Sequence, residues 1–147
     1  MCFLLLYRLQ GISNAEAFLR VALKNVGKDL SPTQDELGCA ECVNTIHKLA
    51  FGDDLGCGAS TYVLWRTLLF RKDFKEVSEY ENGAIIISPT GTSTIGSEHG
   101  HCGIIVGGRI ISNNSNTGRL DTHWDEPSWR AYFGIKLGFP IFFFKKL

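Results

Sequence analysis

The chain has 147 residues, 44% of them apolar, which suits one compact domain with a substantial core. Its 15 basic and 15 acidic side chains cancel, so no net field attracts nucleic acid, teichoic acid or an anionic membrane surface. We therefore treat residues 1–147 as a single domain with its core at about 14–147, and we expect any polymeric partner to be held in a groove.

The first seven residues are apolar, but the run is too short to cross a bilayer, and Arg8 and Gln10 interrupt it before a cleavage site. We interpret it as packed or added sequence rather than a signal peptide, and we expect the protein to be made in the cytoplasm. The five cysteines are an odd number, which argues against a complete disulfide framework. We expect free thiols, no membrane span and a monomer.

Apolar residues at helical spacing predict three helices before any strand, over residues 14–26, 39–50 and 60–69. Asn14 is the expected N-cap of the first helix, and Gly27 is its expected stop. A turn-rich loop over residues 31–36 precedes the second helix. Cys39 therefore falls in the first turn of that helix.

The apolar period changes after Asn82, and the second half of the chain predicts an antiparallel sheet of four or more strands. β-prone runs predict these strands at residues 84–88, 101–106, 109–113 and 139–144. Gly107-Gly108 would join the middle pair as a hairpin, and a short helix is expected around Trp129 and Phe133. Helices followed by strands indicate an α+β fold, with the N-terminal helices packed on a central antiparallel sheet.

Cys39 is the candidate nucleophile because the N–H groups and dipole of a helix N-terminus stabilise a thiolate. Gly38 before it leaves room for a substrate carbonyl. Cys42 lies one turn deeper, and we interpret it as a small buried hydrophobe. Cys39 is thus preferred over its neighbour.

His101 is the candidate base. Strand alternation places it on one face with Gly103 and puts Cys102 on the other face. We expect the face of His101 to pack against the start of the cysteine helix, where a thiolate–imidazolium pair can form. Cys102 is expected to stay outside the chemistry.

A third group usually orients the imidazole, and the hairpin register decides which asparagine is placed to do so. A two-residue turn would put Asn114 opposite His101, whereas a three-residue loop would put Asn113 on the face of His101. We favour Asn113 and keep Asn114 as the alternative.

Four segments carry a resemblance to a known family, namely residues 37–44 (LGCAECVN), 82–91 (NGAIIISPTG), 100–106 (GHCGIIV) and 112–114 (SNN). Together they resemble the NlpC-like and CHAP-like peptidoglycan hydrolases, particularly phage-encoded ones, from about Val21 to the C-terminus. That family has a papain-like fold. The resemblance implies that Cys39, His101 and Asn113 are the catalytic residues, with no metal or other cofactor.

The implied reaction is hydrolysis of an amide bond of bacterial cell-wall peptide through a thioester acyl-enzyme. Both a wall endopeptidase and an N-acetylmuramoyl-L-alanine amidase fit, because Ala40-Glu41 stands where many members carry Ser-Gly. The resemblance also implies action on the wall after release or delivery, as in a phage endolysin. Peptidoglycan would then be the partner.

Two other classes of function stay open. The fold could serve as a non-catalytic binding domain or virion component. The Cys39-x-x-Cys42 pair, together with other Cys and His residues, could bind zinc. However, this pair lies within a helix, and the other candidate pair lies on a strand with its two side chains on opposite faces, which does not match a structural zinc site. A thioredoxin-like motif is disfavoured because no strand immediately precedes Cys39.

Substrate contacts are less specific. Residues 60–62 with Trp65 could wall a groove, and the polar loop over residues 90–98 leads to His101, although a helix cap, core aromatics and an ordinary loop explain them as well. Trp124 and Trp129 are interpreted as structural. Gln34 is a conceivable oxyanion donor that we leave out of the site.

Overall fold

The computed structural model describes residues 11–31, 37–97 and 99–147. Its helices are α1 (Asn14–Lys24), α2 (Cys39–Phe51), α3 (Thr61–Phe70) and α4 (Glu126–Trp129), the last continuing into a π-helical segment (Arg130–Lys136). Its strands are β1 (Phe74–Val77), β2 (Ile85–Ser88), β3 (His101–Val106), β4 (Arg109–Asn114), β5 (Arg119–Trp124) and β6 (Phe142–Lys146). The predicted α+β class is confirmed.

The six strands form one sheet in the order β1-β6-β2-β3-β4-β5, and every neighbouring pair is antiparallel. The edge strands β1 and β5 were not predicted, because each has few buried apolar residues and no run of alternation. Strands β2 and β3 lie at the centre and are almost wholly buried. His101 belongs to this central pair.

Helices α1, α2 and α3 pack on one face of the sheet, and α4 with the π-helical segment covers the other. Each face has its own core. Cys102 and Ile104 of β3 belong to the core beneath the three helices, whereas Ile105 belongs to the core around Trp129 and Phe133. Alternation along β3 is therefore as predicted, but the face that meets the helices is that of Cys102.

The helix ends agree with the sequence except at the two ends of the first helix: α1 stops at Lys24 with Asn25 as its C-cap, before the expected stop at Gly27. Ser13, not Asn14, is the N-cap of α1, and its Oγ accepts a hydrogen bond from the N–H of Glu16 at 3.1 Å. Helix α2 ends at Gly52, which adopts a left-handed conformation (φ +71°). Ser60 caps α3 as expected, with its Oγ accepting from the N–H of Val63.

Two further expectations concern membrane spans and thiols. Within the three described ranges, no helix is both long enough and apolar enough to cross a bilayer. The cysteines at positions 39, 42, 57 and 102 are free and buried. The apolar start and Gln34 lie outside the described residues.

Candidate active site

Cys39 is the first residue of helix α2, as the sequence predicts. The N–H of Cys42 bonds to the carbonyl of Gly38 at 2.9 Å, which closes the first turn. Gly38 is the N-cap and has no side chain to cover the amide groups of that turn. The Cys39 thiol is thus held where backbone N–H groups and the helix dipole favour negative charge.

His101 is the first residue of β3, opposite Ser88 of β2. Its ring stacks on Trp129 (centroids 5.2 Å apart) and on Phe133 (5.5 Å), both from the segment covering the far face of the sheet. The indole N–H of Trp129 donates to Ser88 Oγ at 3.2 Å, which fixes this aromatic floor. The imidazole is therefore held by packing on the face away from the helices, contrary to our expectation.

Glycine is required immediately before His101. A Cβ at Gly100 would lie 1.8 Å from the carbonyl oxygen of Ser88. The N–H of Gly100 also donates to Thr90 Oγ1 at 3.0 Å, which ties the start of β3 to the end of β2. This close approach sets the position of the histidine at the very end of the strand.

The position at the strand end lets His101 reach Cys39 although the two residues belong to opposite layers. Both residues line the same cavity, and His101 is among the groups that lower the pKa of the Cys39 thiol. The imidazole Nε2 lies 3.0 Å from Ser112 Oγ, so Nδ1 is the nitrogen left for the sulfur. This is the arrangement of a nucleophile, a base and an orienting group.

The orienting contact comes from Ser112, which the sequence analysis did not single out. The pairs Val106–Arg109 and Ile104–Ile111 show that the hairpin has a two-residue turn. The three-residue loop on which the preference for Asn113 depended is therefore wrong. In the observed register Ser112 shares the face of His101, and a serine at this position could have been found had the Gly107-Gly108 turn been taken as decisive.

The two asparagines have other surroundings. Asn113 is 2% exposed and lines the same cavity as His101, but strand alternation puts it on the face of Cys102. The side-chain amide of Asn114 donates to Asp121 Oδ2 at 3.1 Å. The role of Asn113 as third catalytic residue stays a prediction, with Ser112 as the observed partner of Nε2.

The pKa of Cys39 lies well below the usual value of a thiol. The chief cause is a hydrogen bond from the Cys102 thiol, and the hydrogen bond and positive charge of His101 add to it against the effect of burial. Conversely, burial and the neighbouring Cys39 raise the pKa of Cys102 well above its ordinary value. Cys102 thus has the largest effect on the pKa of the candidate nucleophile, whereas we expected it to stay outside the chemistry.

The thiol and the imidazole open into one cavity of about 500 Å³. Its walls combine aromatic rings, hydroxyl groups and further histidines, and include Ser60, Thr61, Thr90, His99, His123, Trp124, Tyr132 and Phe133. Thr61 Oγ1 and Thr90 Oγ1 are 2.8 Å apart and join the wall of α3 to the loop that precedes His101. Trp129 is structural as predicted, with no exposed surface, whereas Trp124 borders the cavity.

Cys42 and Cys57 are held as neutral thiols. Burial, the largest cause, raises the pKa of Cys42 to about 12 and that of Cys57 to about 11. Cys57 Sγ is directed at the carbonyl oxygen of Ala40 at 3.7 Å. The reading of Cys42 as a small buried hydrophobe agrees with its 1% exposure.

Within the described ranges, one group of three potential metal ligands lies together, formed by His47, Asp53 and Asp73. Protein cations already occupy it. Lys146 Nζ donates to Asp73 and lies 3.2 Å from His47 Nε2, while Arg71 bonds both carboxylates. His47 Nδ1 lies 2.8 Å from the carbonyl oxygen of Asp53, so the cluster is a partly exposed ion-pair network that joins α2 to β6.

No protein-family model, curated protein or solved structure matches this chain. Its chemistry is therefore inferred from the geometry of the cavity and from the residues at its base.

Proposed function

We propose that this protein is a papain-like thiol hydrolase that cleaves amide bonds in the peptide of bacterial cell walls. The observation that carries the proposal is that Cys39, at a helix N-terminus without a side-chain cap, and His101 line one cavity that admits a substrate. A lowered thiol pKa is what nucleophilic catalysis by cysteine requires. The choice of wall peptide follows from the sequence resemblance.

In the proposed reaction the Cys39 thiolate attacks the scissile carbonyl carbon, and the backbone N–H of Cys39 donates a hydrogen bond to the oxygen on which negative charge develops. His101 gives its proton to the leaving amine as the C–N bond breaks. It then removes a proton from the water that cleaves the thioester, and the thiolate is restored. Ser112 holds Nε2 so that Nδ1 stays directed at the sulfur and the substrate.

The arrangement of helices and sheet supports the papain-like assignment. In this chain a helix N-terminus supplies the thiol, a central antiparallel strand supplies the histidine and the next strand supplies the orienting group. The resemblance implied Cys39 and His101 in the same way, but with Asn113 rather than Ser112 as the third residue. We further propose that the protein acts on the wall after release or delivery, in the manner of a phage lysin.

The test is hydrolysis of purified peptidoglycan, followed by turbidity and by mass analysis of the released fragments. Cys39→Ala should abolish release because it removes the nucleophile, and Cys42→Ala is the matched control because it removes a buried thiol from the same helix. New amino termini within the stem peptide would identify an endopeptidase, and free lactyl groups an amidase. Release that survives Cys39→Ala but is lost in Cys42→Ala would overturn the assignment.

A further inference from the structure

Two threonine hydroxyls join the wall of the cavity to the start of β3. Thr61 begins α3, Thr90 lies just after β2, and both residues line the cavity. Their Oγ1 atoms are 2.8 Å apart. Two backbone amides also donate to the pair: the N–H of Thr90 donates to Thr61 Oγ1 at 2.8 Å, and the N–H of Gly100 donates to Thr90 Oγ1 at 3.0 Å. The hydroxyl pair is thus fixed to the backbone next to His101.

One hydroxyl hydrogen of this pair is left over. Each threonine hydroxyl has one hydrogen to donate and two lone pairs that accept. The bond between the two hydroxyls uses one hydrogen, whichever oxygen donates, and the two backbone amides bring hydrogens of their own. Among the described residues, neither hydroxyl has a further hydrogen-bond partner. The second hydroxyl hydrogen is therefore available to a molecule in the cavity.

Burial indicates which of the two hydroxyls keeps the available hydrogen. Thr61 is 3% exposed, so an O–H without an acceptor would carry the full desolvation penalty there. Thr90 is partly exposed at the cavity. Thr61 therefore donates to Thr90, and Thr90 Oγ1 accepts from both Thr61 and Gly100. Because both of its lone pairs are in use, the Thr90 hydroxyl can only donate.

We propose that Thr90 is a substrate-binding residue, whose hydroxyl donates a hydrogen bond to a peptide carbonyl oxygen in the cavity. That this peptide is the substrate rests on the function proposed above, but its binding does not. A ligand must bring an acceptor to the Thr90 hydroxyl rather than an N–H or ammonium group. A peptide carbonyl meets this requirement.

The position of Thr90 relates the bound carbonyl to the candidate catalytic residues. Thr90 Oγ1 accepts from Gly100, the residue that precedes His101, and Cys39 borders the same cavity. A peptide held at Thr90 therefore lies beside the histidine. A hydrogen bond that is equally strong before and during the reaction lowers KM and leaves kcat unchanged. We therefore expect loss of the hydroxyl to raise KM alone.

The test measures binding to the full-length protein and its variants by NMR titration with N-acetyl-alanyl-alanine N-methylamide, an uncharged peptide. Thr90→Val removes the hydroxyl at nearly unchanged shape and should raise the Kd about 2- to 10-fold, the range of a neutral hydrogen bond. Thr90→Ser keeps the hydroxyl and should bind as the parent does. Thr92→Val is the matched control in the same loop, because the Thr92 hydroxyl already donates to the carbonyl oxygen of Pro89 at 2.6 Å.

A second readout separates lost binding from a displaced histidine. Thr90→Val also removes the acceptor of the Gly100 N–H, but the aromatic floor still holds the His101 ring. The pH profile of Cys39 alkylation should therefore stay unchanged. A shifted profile, an unchanged Kd for Thr90→Val, or a parent protein that does not bind the peptide saturably would overturn the inference. Thr90→Ala, which also lacks the hydroxyl, replaces Thr90→Val if the unfolding midpoint falls.

Hydrolysis of soluble peptidoglycan fragments distinguishes this inference from the proposed function. We expect Thr90→Val to raise KM by the same factor as the Kd, at an unchanged kcat. Peptide binding that depends on Thr90 in a protein that leaves peptidoglycan intact would reject the proposed function and retain the inference. Hydrolysis with the parent's KM in Thr90→Val would retain the function and overturn the inference.

Discussion

Ser112→Ala tests how the imidazole is oriented. The substitution removes the oxygen 3.0 Å from His101 Nε2 and leaves the backbone of β4 unchanged. A hydrogen bond to a charged group contributes about 1.5–3 kcal/mol, and each ~1.4 kcal/mol in a barrier is tenfold in rate. Because Trp129 and Phe133 still hold the ring, we expect the lower part of that range, about a 10- to 30-fold slower hydrolysis.

Two assays separate orientation from a general loss of structure. The first is the initial rate of peptidoglycan clearance, with the unfolding midpoint as a check on the fold. The second is the pH dependence of Cys39 alkylation, which should move to higher pH because a poorly oriented imidazolium stabilises the thiolate less. If Ser112→Ala equals the parent protein in both assays while Asn113→Ala loses activity and shifts the profile, Asn113 is the orienting residue and our reasoning is refuted.

Three other perturbations have defined outcomes. Alkylation of Cys39 should continue below the pH at which ordinary thiols stop reacting and should cease only as the pH falls through its lowered pKa; equal labelling of all cysteines would contradict this. Gly103→Ala should cost about 1–3 kcal/mol in urea unfolding, because the added Cβ would lie 2.7 Å from the Ile110 side chain; an unchanged midpoint would argue against that close contact. Asp73→Asn should lower the free energy of unfolding by about 1–3 kcal/mol, since it leaves the buried Lys146 ammonium without its carboxylate partner while Asp73 itself is partly exposed. Because Arg71 and then Lys146 lower the pKa of Asp73 in the folded protein, the parent's extra stability should be complete above the unfolded carboxyl value of about 3.9. That extra stability should be lost as the pH falls through the lowered pKa of Asp73 in the folded protein. An identical loss of stability in acid for Asp73→Asn would count against the ion pair as its cause.

The sequence located the candidate nucleophile and the candidate base at their element starts because both positions depend on local patterns. The apolar stripe that follows Gly38 fixes where α2 begins, and hence that Cys39 is in its first turn. The β-prone run that starts at His101 likewise fixes the start of β3. Neither inference needs knowledge of which elements pack together.

The third group could not be located in the same way. A one-residue change in hairpin register exchanges the faces of every side chain in β4, and Gly107-Gly108 is compatible with more than one loop length. The sheet face that meets the helices was also undecided, because β3 has apolar residues on both faces. The positions of Ser112 and Cys102 depend on the hairpin register and on which face of the sheet meets the helices.

The site requires its histidine to be at the end of a strand. The thiol comes from the layer of α2, whereas the imidazole rests on the aromatic floor of the opposite layer, so the sheet itself would separate them anywhere along its length. A histidine moved to position 102 would enter the core beneath α2, and one moved to position 103 would lie about 7 Å farther along the strand, against Ile110 and Ser112. At position 101 the ring stands at the start of β3, where it lines the same cavity as Cys39 and keeps its contact with Ser112. Gly100 allows the strand to begin against Ser88. The proposed chemistry therefore also requires this glycine.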